Sequence, residues 1–581
     1  MSTIAQQSER PPGLIYAVNE WPPLPRLAML GFQYAVMDAI YLILVVIIMR
    51  HAHVPRAVGV NLLGVACIGL AIGTVLQGLP RGPVGSGFLA PPVFSAIFLA
   101  PCVLAAQIGG MPLVFGMTLF AGAVEVLAAL LFKRLRVLIT PVLSGLTVFV
   151  VGLELGVVGV GETLDVRHED LPAFPLHVTV AMLTLFVPIC LSIWGRGALK
   201  LLCTLCGLAV GMIGAASIGL LRHAALATIV EASWIRLPRP ATLGLAFDVA
   251  LAPAFLAAGI AAALRSVGVV TTCQRINNAA WQRPDMSNIQ KGVLADGLAN
   301  VLGGALGLPG MSAAPSLVGL SGVTGATSRA IAFAAALVLL IFSISPKLSG
   351  FFLLVPQEVA GALLVFTACF MISGGMQIML SRAVDTRAVY VIGVSTLLGL
   401  SESVFPAYFT DLPRPVRSLT SSPLALALGT GILLSLLFRL GTRQIVSIAW
   451  DDSEPAIAAA IAALREKMQG WKVNGALIDT GTEHAREVID YVVKHRSHHS
   501  AGMLRGLYNG LELRVEISYQ GSPTTHLPKL RVTHAPTGGE LDDEEAAAYI
   551  GLRNFLRSLI TDRQQIKATK TGVVVRLFYA A

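Results

Sequence analysis

Charge is what this sequence has least of. Only 13% of its 581 residues are Asp, Glu, Lys or Arg, while 55% are hydrophobic; a soluble globular chain carries about 25% charged residues. That shortage excludes an ordinary water-soluble globule and implies that most of the surface faces lipid. The apolar runs are long and continuous, as in Leu27 to Met49 and Met111 to Phe132. They do not alternate weakly, which excludes a membrane barrel and leaves helices. Cysteine is sparse. Six of the seven (Cys67, Cys102, Cys190, Cys203, Cys206, Cys369) lie inside apolar runs, with Cys273 at the edge of one. Cys203 and Cys206 have C-x-x-C spacing but no second pair or His nearby, so all seven read as reduced packing residues. No apolar stretch opens the chain: Met1 to Arg26 is polar and contains Pro, so no signal peptide is expected. There is no P-loop, no metal-ligand spacing and no catalytic constellation, so neither an enzyme, a cofactor nor a metal centre is expected.

The basic excess is local. Residues up to 443 hold 26 Lys+Arg and 17 Asp+Glu, whereas the remainder holds sixteen of each. The net charge of +9 therefore belongs to the apolar part, where loop charges set topology, and no nucleic-acid partner is implied. A spanning helix needs roughly 20 apolar residues. Apolar runs and their breaks predict fourteen segments: 27–50, 57–77, 84–100, 111–132, 138–160, 176–194, 199–220, 248–270, 290–307, 311–325, 328–346, 353–379, 386–405 and 422–440. With the N-terminus inside, sixteen Lys and Arg fall on the inner side and nine on the outer. This bias predicts cytoplasmic N- and C-termini in a multi-pass cell (inner) membrane protein. Segments 3 and 10 are broken by Gly and Pro: Gly82, Pro83, Gly85, Gly87, Pro91 and Pro92 in one, Gly307, Pro309, Gly310, Pro315, Gly319, Gly322 and Gly325 in the other. Each stands third in a seven-segment half. Matched broken segments are the sequence pointer to a transporter's binding site.

Several stretches, taken in order, carry a family resemblance. They are Gly85-Ser86-Gly87-Phe88, Gly152-Leu153-Glu154-Leu155, Leu294-Ala295-Asp296-Gly297-Leu298, Leu308-Pro309, and Ser321 through Arg329. Over residues 20 to 443 the chain resembles the nucleobase–ascorbate transporters, or nucleobase–cation symporter 2 family, which includes uracil, xanthine and urate permeases. The resemblance implies fourteen spans in a 7+7 inverted repeat, short strands in broken spans 3 and 10, a core domain and a gate domain, and a homodimer. It also implies a small-molecule substrate moved by alternating access with H⁺ or Na⁺.

The departures from the family pattern are specific. Where the family carries a substrate-binding Glu in span 8, this chain has Arg265, in Leu264-Arg265-Ser266-Val267-Gly268-Val269. The polar pair of the family signature is Ser316-Leu317, although Gly319, Thr324 and Gly325 keep their places; the Gln-His of span 1 is Gln33-Tyr34. Arg stays protonated near neutral pH, so it cannot titrate for coupling, but it suits a planar anion bidentately. An unpaired charge in a span costs several kcal/mol, so Arg265 is expected to bind an anion, with pairing to Asp296, or a misplaced span or snorkelling side chain, as the alternatives. By the resemblance, Phe88 and Ala90 would line the ligand, with Tyr34, Ser316, Leu317 and Gly319 beside it. Asp296, Gln33, Thr324, Ser266 and Glu154 are candidates for coupling or structural polarity. Asp38 and Glu125, inside apolar spans, are candidates for coupling or for helix-interface hydrogen bonds. Glu358, near a span start, reads as a helix N-terminal carboxylate.

From residue 444 the chemistry changes to that of a soluble α+β domain expected on the cytoplasmic side. Helices are expected over 451–467, around 483–495 and around 544–560. Strands are expected at 511–518, 530–532 and 572–579. The order faintly resembles a histidine-kinase-type ATPase whose chemistry is missing: Glu487 is followed at the relevant spacing by Tyr491, and Tyr519-Gln520-Gly521 is the nearest counterpart of a DxG box. A regulatory or dimer-contact module is expected. The functional expectation is a secondary transporter, working by alternating access, for a nucleobase-like or related anionic small molecule (urate, ascorbate or an organic acid). A transporter-derived sensor with a cytoplasmic output domain and an anion channel are the alternatives.

Overall fold

The computed structural model describes residues 11, 14–131, 140–164, 174–195, 203–220, 233–240, 243–279, 285–380, 384–410, 412, 420, 422–438, 444–471, 473, 475–494, 501–508, 512–520, 563–569 and 572–580. The chain divides into two compact units, Met1–Leu433 and Leu434–Ala581.

The first unit is helical. Its longer helices are α1 (Leu24–Ile40), α2 (Leu42–His51), α3 (Arg56–Gly78), α4 (Ala96–Leu130), α5 (Pro141–Leu164), α6 (Phe174–Trp194), α7 (Cys203–Ser217), α8 (Ala252–Ile276), α9 (Met286–Leu306), α10 (Pro315–Thr324), α11 (Arg329–Ile344), α12 (Gln357–Met379), α13 (Thr386–Val404) and α14 (Pro423–Leu437). Among the described residues, seven helices are long and apolar enough to cross a membrane, or eight if the pair Arg329–Ile344 and Pro346–Leu354, bent by 88°, forms one span. The expected fourteen do not all reach that length and apolarity, for local reasons. α9 carries Lys291 and Asp296, α7 and α14 are short, and segments 3 and 10 are interrupted by strands. Expected segments 3 and 4 run together as α4, which turns at Gly110 (φ 67°, ψ −165°) rather than passing through a loop. Large apolar side chains such as Phe186, Trp194 and Leu397 lie 62%, 72% and 70% exposed, as lipid-facing groups do.

Packing sorts the helices into two groups. One comprises α1, α2, α3, α4, α8, α9 and α11; the other comprises α5, α6, α7, α12 and α13; α4 and α8 meet α5 between them. Caps follow local chemistry. Asp285 opens α9 by accepting from the Ser287 and Asn288 N–H groups, and Gly307 closes it in the left-handed conformation (φ 91°).

At the centre, β1 (Pro92–Phe94) pairs antiparallel with β2 (Met311–Ala313), in the register Pro92 to Ala313, Val93 to Ser312 and Phe94 to Met311. Ser95 N–H to Gly310 O and Ala314 N–H to Pro91 O, both 3.1 Å, extend the pairing. Each strand feeds a helix N-terminus, β1 into α4 and β2 into α10. Gly310 has to be glycine here, since a Cβ would lie 2.2 Å from the Phe98 ring.

Among its described residues, the second unit is a five-stranded antiparallel sheet, in the order β3-β4-β5-β7-β6, with two helices. Its elements are β3 (Gln444–Trp450), α15 (Glu454–Gly470), α16 (Gly475–Lys494), β4 (Gly502–Tyr508), β5 (Glu512–Gln520), β6 (Arg563–Thr569) and β7 (Gly572–Ala580). Leu464, Val488, Leu504, Val515, Val575 and Leu577 build its core. The strand expected at 530–532 and the helix expected around 544–560 lie outside the described residues. β3, β4 and β6 are strands that sequence patterning does not predict. β4 alternates well, but with Gly502, Gly506 and Arg505 it lacks the β-branched residues that mark a strand.

Candidate functional site

The two helix N-termini behind the central strands define the site. Ser95 is the N-cap of α4, and its hydroxyl accepts the Ile97 N–H at 3.2 Å. The same oxygen accepts from Ser312 Oγ of β2 at 3.0 Å and from Arg265 Nη1 of α8 at 3.0 Å. A guanidinium, a hydroxyl and a helix N-terminus thus converge on one neutral oxygen. Arg265 is half-buried, and among the described residues no carboxylate lies within 4.0 Å of it as an ion pair. The positive end of the α4 dipole adds to the same field.

Asp296, the alternative partner for Arg265, has hydrogen-bond partners of its own. Asp296 is 1% exposed. Its Oδ2 accepts from Ser266 Oγ and, at 3.1 Å, from the Ala313 N–H. One helical turn on, Asn300 donates to Met311 O at 2.8 Å and accepts the Met311 N–H at 2.7 Å. Asn300 Nδ2 also donates to Glu125 Oε2 of α4 at 2.9 Å. Asp296 and Asn300 therefore hold one edge of β2 on alternate residues, as the period-two strand against a 3.6-period helix permits.

The lead-in to β1 is held in the same manner. Gln77 Nε2 donates to Gly292 O at 2.9 Å, Ser86 Oγ donates to Gln77 Oε1 at 3.1 Å, and Asn288 donates to Ser86 O at 2.7 Å. Gly85 and Gly87 take φ of 96° and 73°, conformations that favour glycine. The half-buried Phe88 ring packs between Ala129, Ala263, Val270 and Val293 on one side and Ala90, Val269, Ala313 and Val318 on the other. Ala90 is fully buried there.

On the α10 side, Ser316 is exposed and its hydroxyl lies 3.0 Å from Tyr41 Oη, at the break between α1 and α2. Tyr34 is fully buried, with its hydroxyl 2.7 Å from Ser321 Oγ and donating to Leu317 O at 3.3 Å. Leu317 is fully buried, while Gly319 faces open space. Thr324 donates back to Leu320 O within its own helix at 2.8 Å, and Gln33 is half-buried on α1. Leu89, Cys273, Val318, Ser321 and their neighbours line a narrow recess with no room for a water molecule.

Of the sequence candidates, Arg265, Phe88, Ala90, Asp296 and Ser266 surround the two strands; Ser316, Gly319 and Tyr34 follow on α10 and α1. Glu154 is not among them. It is buried on α5, in the other helix group, and both of its oxygens lack a hydrogen-bond partner. Asp38 is likewise buried without a partner on α1. Glu358 stands in the first turn of α12 and pairs with His177 of α6 at 2.5 Å. Sequence reasoning missed Ser95, Ser312 and Asn300. Ser95 had a readable signal, a serine directly ahead of a helix, shortly after the pair Pro91-Pro92.

The profile of a permease family, Xan_ur_permease, matches residues 25–408. The xanthine permease XanP of Escherichia coli strain K12 is 25% identical over 439 residues, spanning 73% of this chain and 94% of XanP. The uric acid permease PucJ of Bacillus subtilis strain 168 is 27% identical over 414 residues, spanning 70% of this chain and 90% of PucJ. In fold, the chain is similar to the murine anion transporter Slc26a9 in its inward-facing state, with a TM-score of 0.50 at 11% identity, covering 74% of this chain and 71% of that one.

Proposed function

The chain belongs to this permease family, and from that premise we propose that it is a secondary active transporter of an anionic, nucleobase-like small molecule. The substrate binds between β1, β2 and α8. Arg265 takes its anionic group, Ser95 and Ser312 supply hydroxyls, and the N-terminus of α4 adds its dipole. Phe88 packs on the ring, and Ser316 hydrogen-bonds from the α10 side. The observation that carries this reading is the convergence of Arg265, Ser312 and the Ile97 N–H on Ser95 Oγ, with no carboxylate paired to Arg265 among the described residues. Donors so arranged and left without an acidic partner suit an anion. The relatives' substrates, xanthine and uric acid, supply the ring; the arginine selects the ionised form.

Fourteen spans in a 7+7 inverted repeat, with broken spans 3 and 10 facing one another, fit this reading. In it the group containing α3, α4, α8 and α9 is the core that carries the site, and the group containing α5, α6 and α12 is the gate. Alternating access moves one past the other in a homodimer of the inner membrane with cytoplasmic termini. Residues 444–581 then form a cytoplasmic regulatory module. Counterflow in proteoliposomes tests the transporter: internal urate should accelerate uptake of labelled urate, with saturation. Binding without counterflow would instead favour a sensor, and a linear, non-saturating flux a channel.

A further inference from the structure

Two buried carboxyls behind the site are left half-satisfied in a matching way. α4 and α9 touch backbone to backbone. A Cβ on Gly297 would lie 2.8 Å from Val126 N, and one on Gly122 would lie 2.8 Å from the Asn300 carbonyl carbon. This contact sets Glu125 of α4 against the turn of α9 that carries Asp296, close enough for the two carboxyls to interact. Each carboxyl has one oxygen engaged: Glu125 Oε2 by Asn300, and Asp296 Oδ2 by Ser266 and the Ala313 N–H. Each has the other oxygen, Glu125 Oε1 and Asp296 Oδ1, buried without any donor. Glu125 is 0% and Asp296 1% exposed. Arg265 of α8 acts on Asp296 as a neighbouring charge, but its Nη1 is turned to Ser95 and it forms no ion pair with either carboxyl.

Two carboxylates in contact cannot both stay ionised away from water. A single proton between Glu125 Oε1 and Asp296 Oδ1 would satisfy both orphaned oxygens at once. We propose that Glu125 and Asp296 share one proton in the substrate-free protein, and that this pair takes up the coupling proton that Arg265 cannot carry.

The charge count gives the consequence, which rests on the anion reading of the site. Arg265 is +1 and the singly protonated pair is −1, so the empty site is neutral. A bound monoanion makes it −1, and a second proton on the pair restores neutrality. Carrying an unbalanced charge through the bilayer interior is costly. The pair therefore couples one proton to one anion. The proton is taken from water on the side of entry and returned to water on the side of release, by making and breaking one carboxyl O–H bond.

The test has two arms. Infrared difference spectroscopy of substrate-free protein at neutral pH should show the loss of one protonated-carboxyl band in Glu125→Gln, and no further loss in the double variant Glu125→Gln/Asp296→Asn. The Gln amide can donate to Asp296 Oδ1, so the fold is kept. Two bands lost in the double variant, or none in either, overturns the shared proton. The second arm is urate uptake into proteoliposomes under an imposed pH gradient, acid on the side of entry. Wild type should concentrate urate, whereas Glu125→Gln should still bind it but lose the response to the gradient. A variant that accumulates urate like wild type overturns the coupling role. If wild type shows the band but binds no anion, the shared proton stands and the anion-transporter reading fails.

Discussion

Replacing Asn300 by alanine removes one side chain but strands three groups. Asn300 accepts from Met311 N–H at 2.7 Å and donates to Met311 O at 2.8 Å and Glu125 Oε2 at 2.9 Å, all of them buried. The two Met311 groups belong to a strand of three residues whose opposite edge is already paired with β1, so they have nowhere else to turn. A buried backbone group left unsatisfied costs about 1–3 kcal/mol. The interhelical bond to Glu125 is worth less, about 0.6 kcal/mol on average for such bonds in membranes, because the loosened helices find other partners. The backbone terms dominate, and Asn300→Ala should lower unfolding free energy by about 3–5 kcal/mol. Asn277→Ala is the control. Among the described residues the Asn277 side chain bonds only the Cys273 carbonyl of its own helix, at 2.8 Å, and its loss should cost no more than about 1 kcal/mol. Equilibrium unfolding of the two variants in mixed micelles measures the difference. Losses of equal size would refute the view that α9 holds β2 through Asn300.

Three further outcomes follow from other parts of the molecule. Gly310→Ala pushes a methyl into the Phe98 ring, 2.2 Å away before relaxation, and should cost about 1–3 kcal/mol through overpacking; a thermal melt no lower than wild type would contradict the packing of β2 on α4. Tyr34→Phe removes the bond to Ser321 and should cost about 1 kcal/mol in the same unfolding assay, with an unchanged midpoint counting against that contact. In the second unit, burial pushes the His484 pKa below its usual 6.5, against the opposing pull of Glu487 and Glu483. The unfolded chain therefore binds the proton first, so this contribution to stability is full above pH 6.5 and is lost as pH falls through and below it. Hydrogen exchange in β7, whose Tyr579 hydroxyl lies 2.9 Å from His484 Nδ1, should speed up on acidification in wild type but not in His484→Gln. Equal acceleration in both would locate the pH response elsewhere.

The helical membrane class was legible because lipid leaves its mark on composition: continuous apolar runs have no other stable use. The broken segments were legible because Gly85, Gly87 and Gly310 mark places where backbone conformation or contact leaves no room for a side chain. The division of the helices into two groups was not legible, since it depends on which faces of similar apolar helices meet. At the site, Arg265 stood out because a charge in a span is rare. Its neighbours did not stand out. Ser95 and Ser312 are common residues whose importance comes from the register of β1 on β2, which pairs Ser312 with Val93, two residues before Ser95. Asp296 was noticed, but its role was misassignable from sequence, because only the fold shows it turned to Ser266 and Ala313 rather than to Arg265. In the second unit, α15 and α16 were announced by amphipathic spacing. β4 was not, because glycine at 502 and 506 makes room for Trp450 and Leu464 at the expense of strand propensity.

The central claim is that Arg265 selects an anion. Titration calorimetry of purified wild type and Arg265→Gln with urate, xanthine and uracil tests it most directly. A charge-assisted hydrogen bond is worth about 1.5–3 kcal/mol, or roughly ten- to a hundred-and-fifty-fold in Kd. Wild type should therefore prefer the urate anion to uracil, and Arg265→Gln should lose that preference by about this factor while binding the neutral base as before. Equal affinity of both proteins for all three ligands would contradict the account.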